Sequence, residues 1–115
     1  MEGLTDQTLA ATAAEIESGL IDARLGGSLL KKRIAKGSRG KSRGFRTIVA
    51  YRRHKRLVFL YVFGTNERDN ITEQERSALA ELGDEYMHLD AERLDALVAK
   101  GILIEVAGDD DKAET

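Results

Sequence analysis

FRTIVAYRRHKRLVFLYVF, Phe45 to Phe63, holds two runs rich in Val, Ile, Leu, Phe and Tyr on either side of the polar triplet Arg53-His54-Lys55. Residues that are β-branched or aromatic fit the pleated surface of a strand, and a short polar break between two such runs reads as a hairpin turn. The spacing predicts strands over residues 45–53 and 56–63. In the second run, strict alternation sets Val58, Leu60 and Val62 on one face and Leu57, Phe59, Tyr61 and Phe63 on the other. A strand apolar on both faces calls for helical cover on at least one of them.

Upstream, residues 28–36 alternate loosely and form a third strand candidate, with Gly26-Gly27 as a break before it. Thr5 or Asp6 can cap an earlier helix, along which Leu9, Ala13, Ile16 and Leu20 recur at the spacing of one face, with Gly19 as its stop. Downstream, Thr72-x-x-Glu75 matches a capping box and opens a helix carrying Leu79, Leu82 and Tyr86 on one side. Asp90 caps a further helix, expected to pack Leu94, Leu97 and Val98, with Gly101 ending it; residues 102–106 form a short strand candidate. The order defines an α+β fold: a small antiparallel sheet of three to four strands packed with N-terminal and C-terminal helices. Residues 1–106 are expected to be a single domain, and residues 107–115 an acidic, disordered tail.

The chain has 115 residues and a net charge of −2, but the charges are segregated. Residues 23–66 carry 13 lysines and arginines and no carboxylate, while the rest of the chain sums to −15. A field of one sign attracts phosphates and is costly to keep without a partner, so the middle third is expected to bind a polyanion. Between the first two strand candidates lies GSRGKSRG, residues 37–44, whose three glycines make it pliant and whose Arg39, Lys41 and Arg43 suit phosphate. It is not a P-loop, since neither G-K-[ST] at the required spacing nor a helix follows.

No cysteine is present, which excludes disulfides and thiolate chemistry. His54 and His88 read as ordinary surface histidines and Asp109-Asp110-Asp111 as solvated charge, so no metal site and no small-molecule cofactor is expected. No apolar run approaches the roughly 20 residues that span a bilayer, and no signal-peptide pattern opens the chain. A cytoplasmic location without membrane attachment is expected. Lys31 and Arg33 fall on one strand face, Leu30, Lys32 and Ile34 on the other, and Arg46 opens the next strand directly after the pliant loop. Arginines aimed at a phosphorane stabilise the charge that develops on it, and RNA supplies its own nucleophile, the 2′-hydroxyl.

Gly26-Gly27 followed by LLKKRIAK, the loop GSRGKSRG, then GFRTIVAYRR, RLVFLYVFGTNERDNI and GILIEV resemble the RelE-like toxins, and within them the HigB group of bacterial type II toxin–antitoxin modules. The similarity spans residues 19–106 and is most specific at K-x-R-[IV]-A (31–35), G-[FY]-R-T-I (44–48) and F-x-x-N-E-R-x-N-I (63–71). The resemblance implies a RelE fold, cleavage of mRNA, commonly on the ribosome, and neutralisation by a helix-turn-helix antitoxin. By its motifs it implies that Lys31 and Arg33 grip the RNA backbone, that Arg46 stabilises the transition state, and that Asn66, Glu67 and Arg68 form the polar signature after the last central strand. Glu67 and Arg68 join the first three as catalytic candidates, and Asn66 joins the charged Lys32, Lys36, Arg39, Lys41 and Arg43 as expected RNA contacts. The pattern also departs from the family. RelE-type sequences carry an arginine where this chain has Asn66 and a tyrosine where it has Thr72, and relatives begin with a strand for which Met1-Glu2-Gly3 leaves no room. Either the start is truncated or the sheet has lost that first edge strand, which would expose unpaired backbone groups and invite pairing with another chain. Two alternatives stay open: a noncatalytic toxin that only binds nucleic acid or its antitoxin, and a ParE-like inhibitor of DNA gyrase.

Overall fold

A computed structural model describes residues 4–35 and 44–106. Helix α1 (Asp6–Glu17) is followed by four strands, β1 (Ala23–Gly26), β2 (Leu29–Ala35), β3 (Gly44–Arg52) and β4 (Arg56–Gly64), then by α2 (Glu73–His88) and α3 (Ala91–Ala99). The strands form one antiparallel sheet in the order β1-β2-β3-β4. The expected α+β architecture is present.

The helix ends follow local chemistry. Thr5 caps α1 by accepting from the Thr8 amide, and at the far end Gly19 N–H bonds the Ile16 carbonyl while Leu20 N–H bonds that of Glu15. This Schellman closure needs a left-handed residue, and Gly19 supplies it at φ 99°. Thr72 and Glu75 form the full capping box that starts α2, and Asp90 caps α3 by accepting from the Arg93 amide.

Each sheet face has its own core. Ile16 of α1 packs on Leu30 and Val49, with Ile21, Tyr51, Leu57 and Phe59 around them. On the opposite face Leu29, Ile48 and Phe63 gather Leu25, Leu60, Tyr61, Ile71 and the α2 residues Leu79 and Ala80. Gly83 lets α2 approach closely, since a Cβ there would lie 3.0 Å from the Ala50 Cβ.

Four expectations need correction. Strict alternation along β4 fails: Ile48 pairs with Tyr61 but Val49 with Phe59, so Leu60 is an extra residue. The bulge keeps Leu57 and Phe59 on the α1 face and turns Tyr61 and Phe63 to the α2 face, beside Leu60. Gly26-Gly27 is not a simple break, because Gly26 ends β1 and pairs with Leu29 around a Gly27-Ser28 turn. Residues 102–106 form no strand; a second Schellman closure at Gly101 ends α3 and leaves Ile102 59% and Ile104 83% exposed. Val98 is itself exposed rather than packed, and α3 buries none of its residues. Among the described residues no strand precedes α1, and β4 forms one edge of the sheet.

Candidate functional site

Lys31, Lys32 and Arg33 are consecutive on β2 and have different surroundings. Lys32 turns to the α1 face, where its side chain is 10% exposed and its Nζ lies 2.9 Å from Glu15 Oε1. Thr47, its cross-strand neighbour, is fully buried and donates its hydroxyl to the Lys32 carbonyl at 2.9 Å. Lys31 and Arg33 turn the other way, onto the face that also carries Arg46, Tyr61 and Phe63. The structure thus brings Lys31, Arg33 and Arg46 together and separates Lys32 from them by the thickness of the sheet.

Arg33 and Arg46 are direct cross-strand partners. Like charges opposed in this way destabilise a sheet unless something neutralises them. Among the described residues no carboxylate forms an ion pair with Lys31, Arg33 or Arg46. The Arg46 Nε is buried and has no hydrogen-bond partner among these residues, although a buried guanidinium N–H ordinarily finds an acceptor. Lys31 and Arg46 are half-buried and Arg33 is exposed, so the cations line an open surface rather than a closed core.

Phe63 lies opposite Arg46 in the register, and the Arg68 guanidinium sits over its ring, 5.6 Å from the centroid. All three nitrogens of Arg68 are engaged: Nε donates to the Asn70 carbonyl at 2.9 Å, while Nη1 and Nη2 fork onto Glu75 at 3.1 and 2.6 Å. The Glu75 hydrogen bond raises the Arg68 pKa first and foremost, burial opposes it, and the adjacent Tyr61 phenol adds a smaller push upward. Arg68 is a brace joining the loop after β4 to the start of α2. Glu67 braces the same loop, with its Oε1 accepting from the Gly64 amide at 3.0 Å. Asn66 is exposed, and its Oδ1 lies 2.8 Å from where a Cβ on Gly64 would fall. Lys36, Arg39, Lys41 and Arg43 lie outside the described residues.

Tyr61 belongs to this surface and was not among the sequence candidates. Strict alternation grouped it with Leu57 and Phe59, and only the bulge at Leu60 moves it beside Arg68. The available signal was its hydroxyl, the sole polar tip in LVFLYVF. Among the described residues no group of three or more His, Cys, Asp or Glu side chains could hold a metal ion. No helix among them is long and apolar enough to cross a membrane.

An N-terminal helix, a four-stranded antiparallel sheet and two C-terminal helices make up a RelE-like fold. Residues 1–106 match the family model of the RelE toxin of the RelE / RelB toxin-antitoxin system, and the chain belongs to that family. A toxin of this kind implies an antitoxin partner. No curated protein and no solved structure matches the chain.

Proposed function

We propose that this toxin, of the HigB-like kind, is an mRNA endoribonuclease that acts on ribosome-associated message and is held in check by a helix-turn-helix antitoxin. The supporting observation is the uncompensated cation pair Arg33–Arg46, with Lys31 beside it and the Arg46 Nε desolvated and unpartnered among the described residues. A scissile phosphate seated there satisfies the guanidinium and removes the repulsion in one step.

The RNA 2′-oxygen attacks the adjacent phosphorus, a 2′-O–P bond forms and the P–O5′ bond breaks, leaving a cyclic phosphate and a 5′-hydroxyl. The proton lost from the 2′-hydroxyl is matched by the one gained at O5′. Arg46 and Lys31 stabilise the charge on the equatorial oxygens, Arg33 grips the neighbouring backbone, and Tyr61 offers a hydroxyl beside the same phosphate. Fixed cations of this sort act where charge develops and need no reorganisation.

Arg46→Ala should lower RNA cleavage by about 10²-fold to 10³-fold and abolish growth arrest without lowering the melting temperature, since it also removes the repulsion with Arg33. Full cleavage in the folded variant would refute the site. A noncatalytic toxin that binds only its antitoxin is the second reading. It is favoured by the engagement of Glu67 with Gly64 and of Arg68 with Glu75, which leaves both committed to the loop. Primer extension on transcripts after induction separates the two, because only the nuclease leaves discrete new 5′ ends.

A further inference from the structure

The β3–β4 turn concentrates charge that the cationic sheet face does not use. Arg52, Arg53, His54 and Lys55 are all exposed, and none has an ion-pair partner among the described residues. Two features of the turn are locally unfavourable. Arg52 is paired across the hairpin with Arg56, setting like charges opposite one another. His54 sits at φ 65°, a left-handed conformation that glycine adopts without steric cost and most side chains avoid. A turn selected for stability would carry Gly or Asn there and a carboxylate across from an arginine. Arg56 has a separate duty, donating from Nη1 to the Tyr86 carbonyl at 2.6 Å in the last turn of α2. It ties the hairpin end to the helix and gives the cationic tip a fixed base.

We infer that this turn is a second RNA-binding site, in which Arg52, Arg53 and Lys55 take backbone phosphates of the same strand whose scissile phosphate lies at Arg46. The inference rests on the nuclease reading. Arg52 is six residues along β3 from Arg46, which at about 3.3 Å per residue sets the two sites about 20 Å apart. A short oligonucleotide seated at Arg46 cannot reach the turn, whereas a longer strand passing round α2, which covers Ile48 and Ala50 between the two sites, can. The turn therefore sets affinity for long RNA without taking part in the chemistry.

The test is the full chain carrying Arg52→Gln, Arg53→Gln and Lys55→Gln together, with Arg56 retained and folding checked by thermal melting. Binding is measured by fluorescence anisotropy to non-cleavable 2′-O-methyl RNAs of about 4 and about 16 nucleotides, over a range of salt. Affinity for the long RNA should fall by about tenfold or more, and its log–log salt slope should shrink by about 2, the release expected for three phosphate contacts on a single strand. Affinity for the short RNA, and the cleavage rate at saturating RNA, should not change. Unchanged long-RNA affinity and slope overturn the second site alone, as does an equal loss on both RNAs. Loss of antitoxin binding with intact RNA binding overturns it in favour of an acidic protein partner. Wild-type protein that binds neither RNA overturns the nuclease reading and this site together. If the triple variant fails to fold, Arg53→Gln alone is used, with one-third of the slope change expected and an unchanged slope overturning the site.

Discussion

Lys31 and Lys32 are chemically identical neighbours with opposite assignments. Lys32 is nearly buried and depends on Glu15, whose own side chain is 53% exposed. The two ends of this ion pair should therefore differ in cost. Glu15→Gln leaves an ammonium buried without its counter-ion and should lower stability by about 1–2 kcal/mol. Lys32→Met leaves a carboxylate that simply rehydrates, and should stay within about 1 kcal/mol of wild type. Urea denaturation of both variants checks this, and the reverse order would show that Lys32 is not held by Glu15. The alternation that separates Lys31 and Arg33 from Lys32 was legible in KKR, since side-chain direction in a strand has period two. The partner was not legible, because Glu15 lies on a different element and nothing local links it to Lys32. Assigning Lys32 to RNA from its charge alone ignored the face it was already expected to share with Leu30 and Ile34.

The joint between β4 and α2 depends on a small set of groups that have two uses each. Glu75 completes the capping box by accepting from the Thr72 amide at 2.7 Å, and it also receives the Arg68 fork. Its carboxyl is held below the ordinary range, first by the Arg68 hydrogen bonds and next by the Thr72 backbone. A group whose pKa is lowered by folding contributes stability above its unfolded value, and that contribution is lost as pH falls through the folded one. The brace is therefore complete at neutral pH and fails in acid. Melting temperature should fall more steeply with acid in the wild type than in Glu75→Gln, which begins lower; parallel acid limbs would contradict the brace. The helix starts were readable here because caps are local chemistry: Thr72, Glu75, Asp90 and Gly19 all act within five residues of themselves. The bulge at Leu60 was not, since an extra residue in one strand is defined only against its partner, and LVFLYVF is apolar in either phase. Residues 102–106 were misread for a related reason. ILIEV has strand composition, but a strand also needs an edge to pair with, and the Gly101 closure ends α3 without supplying one.

Across the molecule, the segregation of charge along the chain becomes a segregation in space only in part. The 13 basic residues of the acid-free segment divide among an exposed Arg24 on β1, a structural lysine under α1, an open cationic face, the β3–β4 hairpin end and residues outside the described ones. Composition led to the expectation of a polyanion partner; it could not say which cations act together, because that depends on register. The pairing of Arg33 with Arg46 supplies that information and marks the face of the sheet that is left electrostatically incomplete. The direct test is a titration of isotope-labelled protein with non-cleavable 2′-O-methyl RNA, followed by NMR of the lysine and arginine side chains. Signals from Lys31, Arg33 and Arg46 should move in proportion to saturation while Lys32 stays still. Movement of Lys32 with Arg46 silent would place the RNA on the opposite face and contradict the assignment.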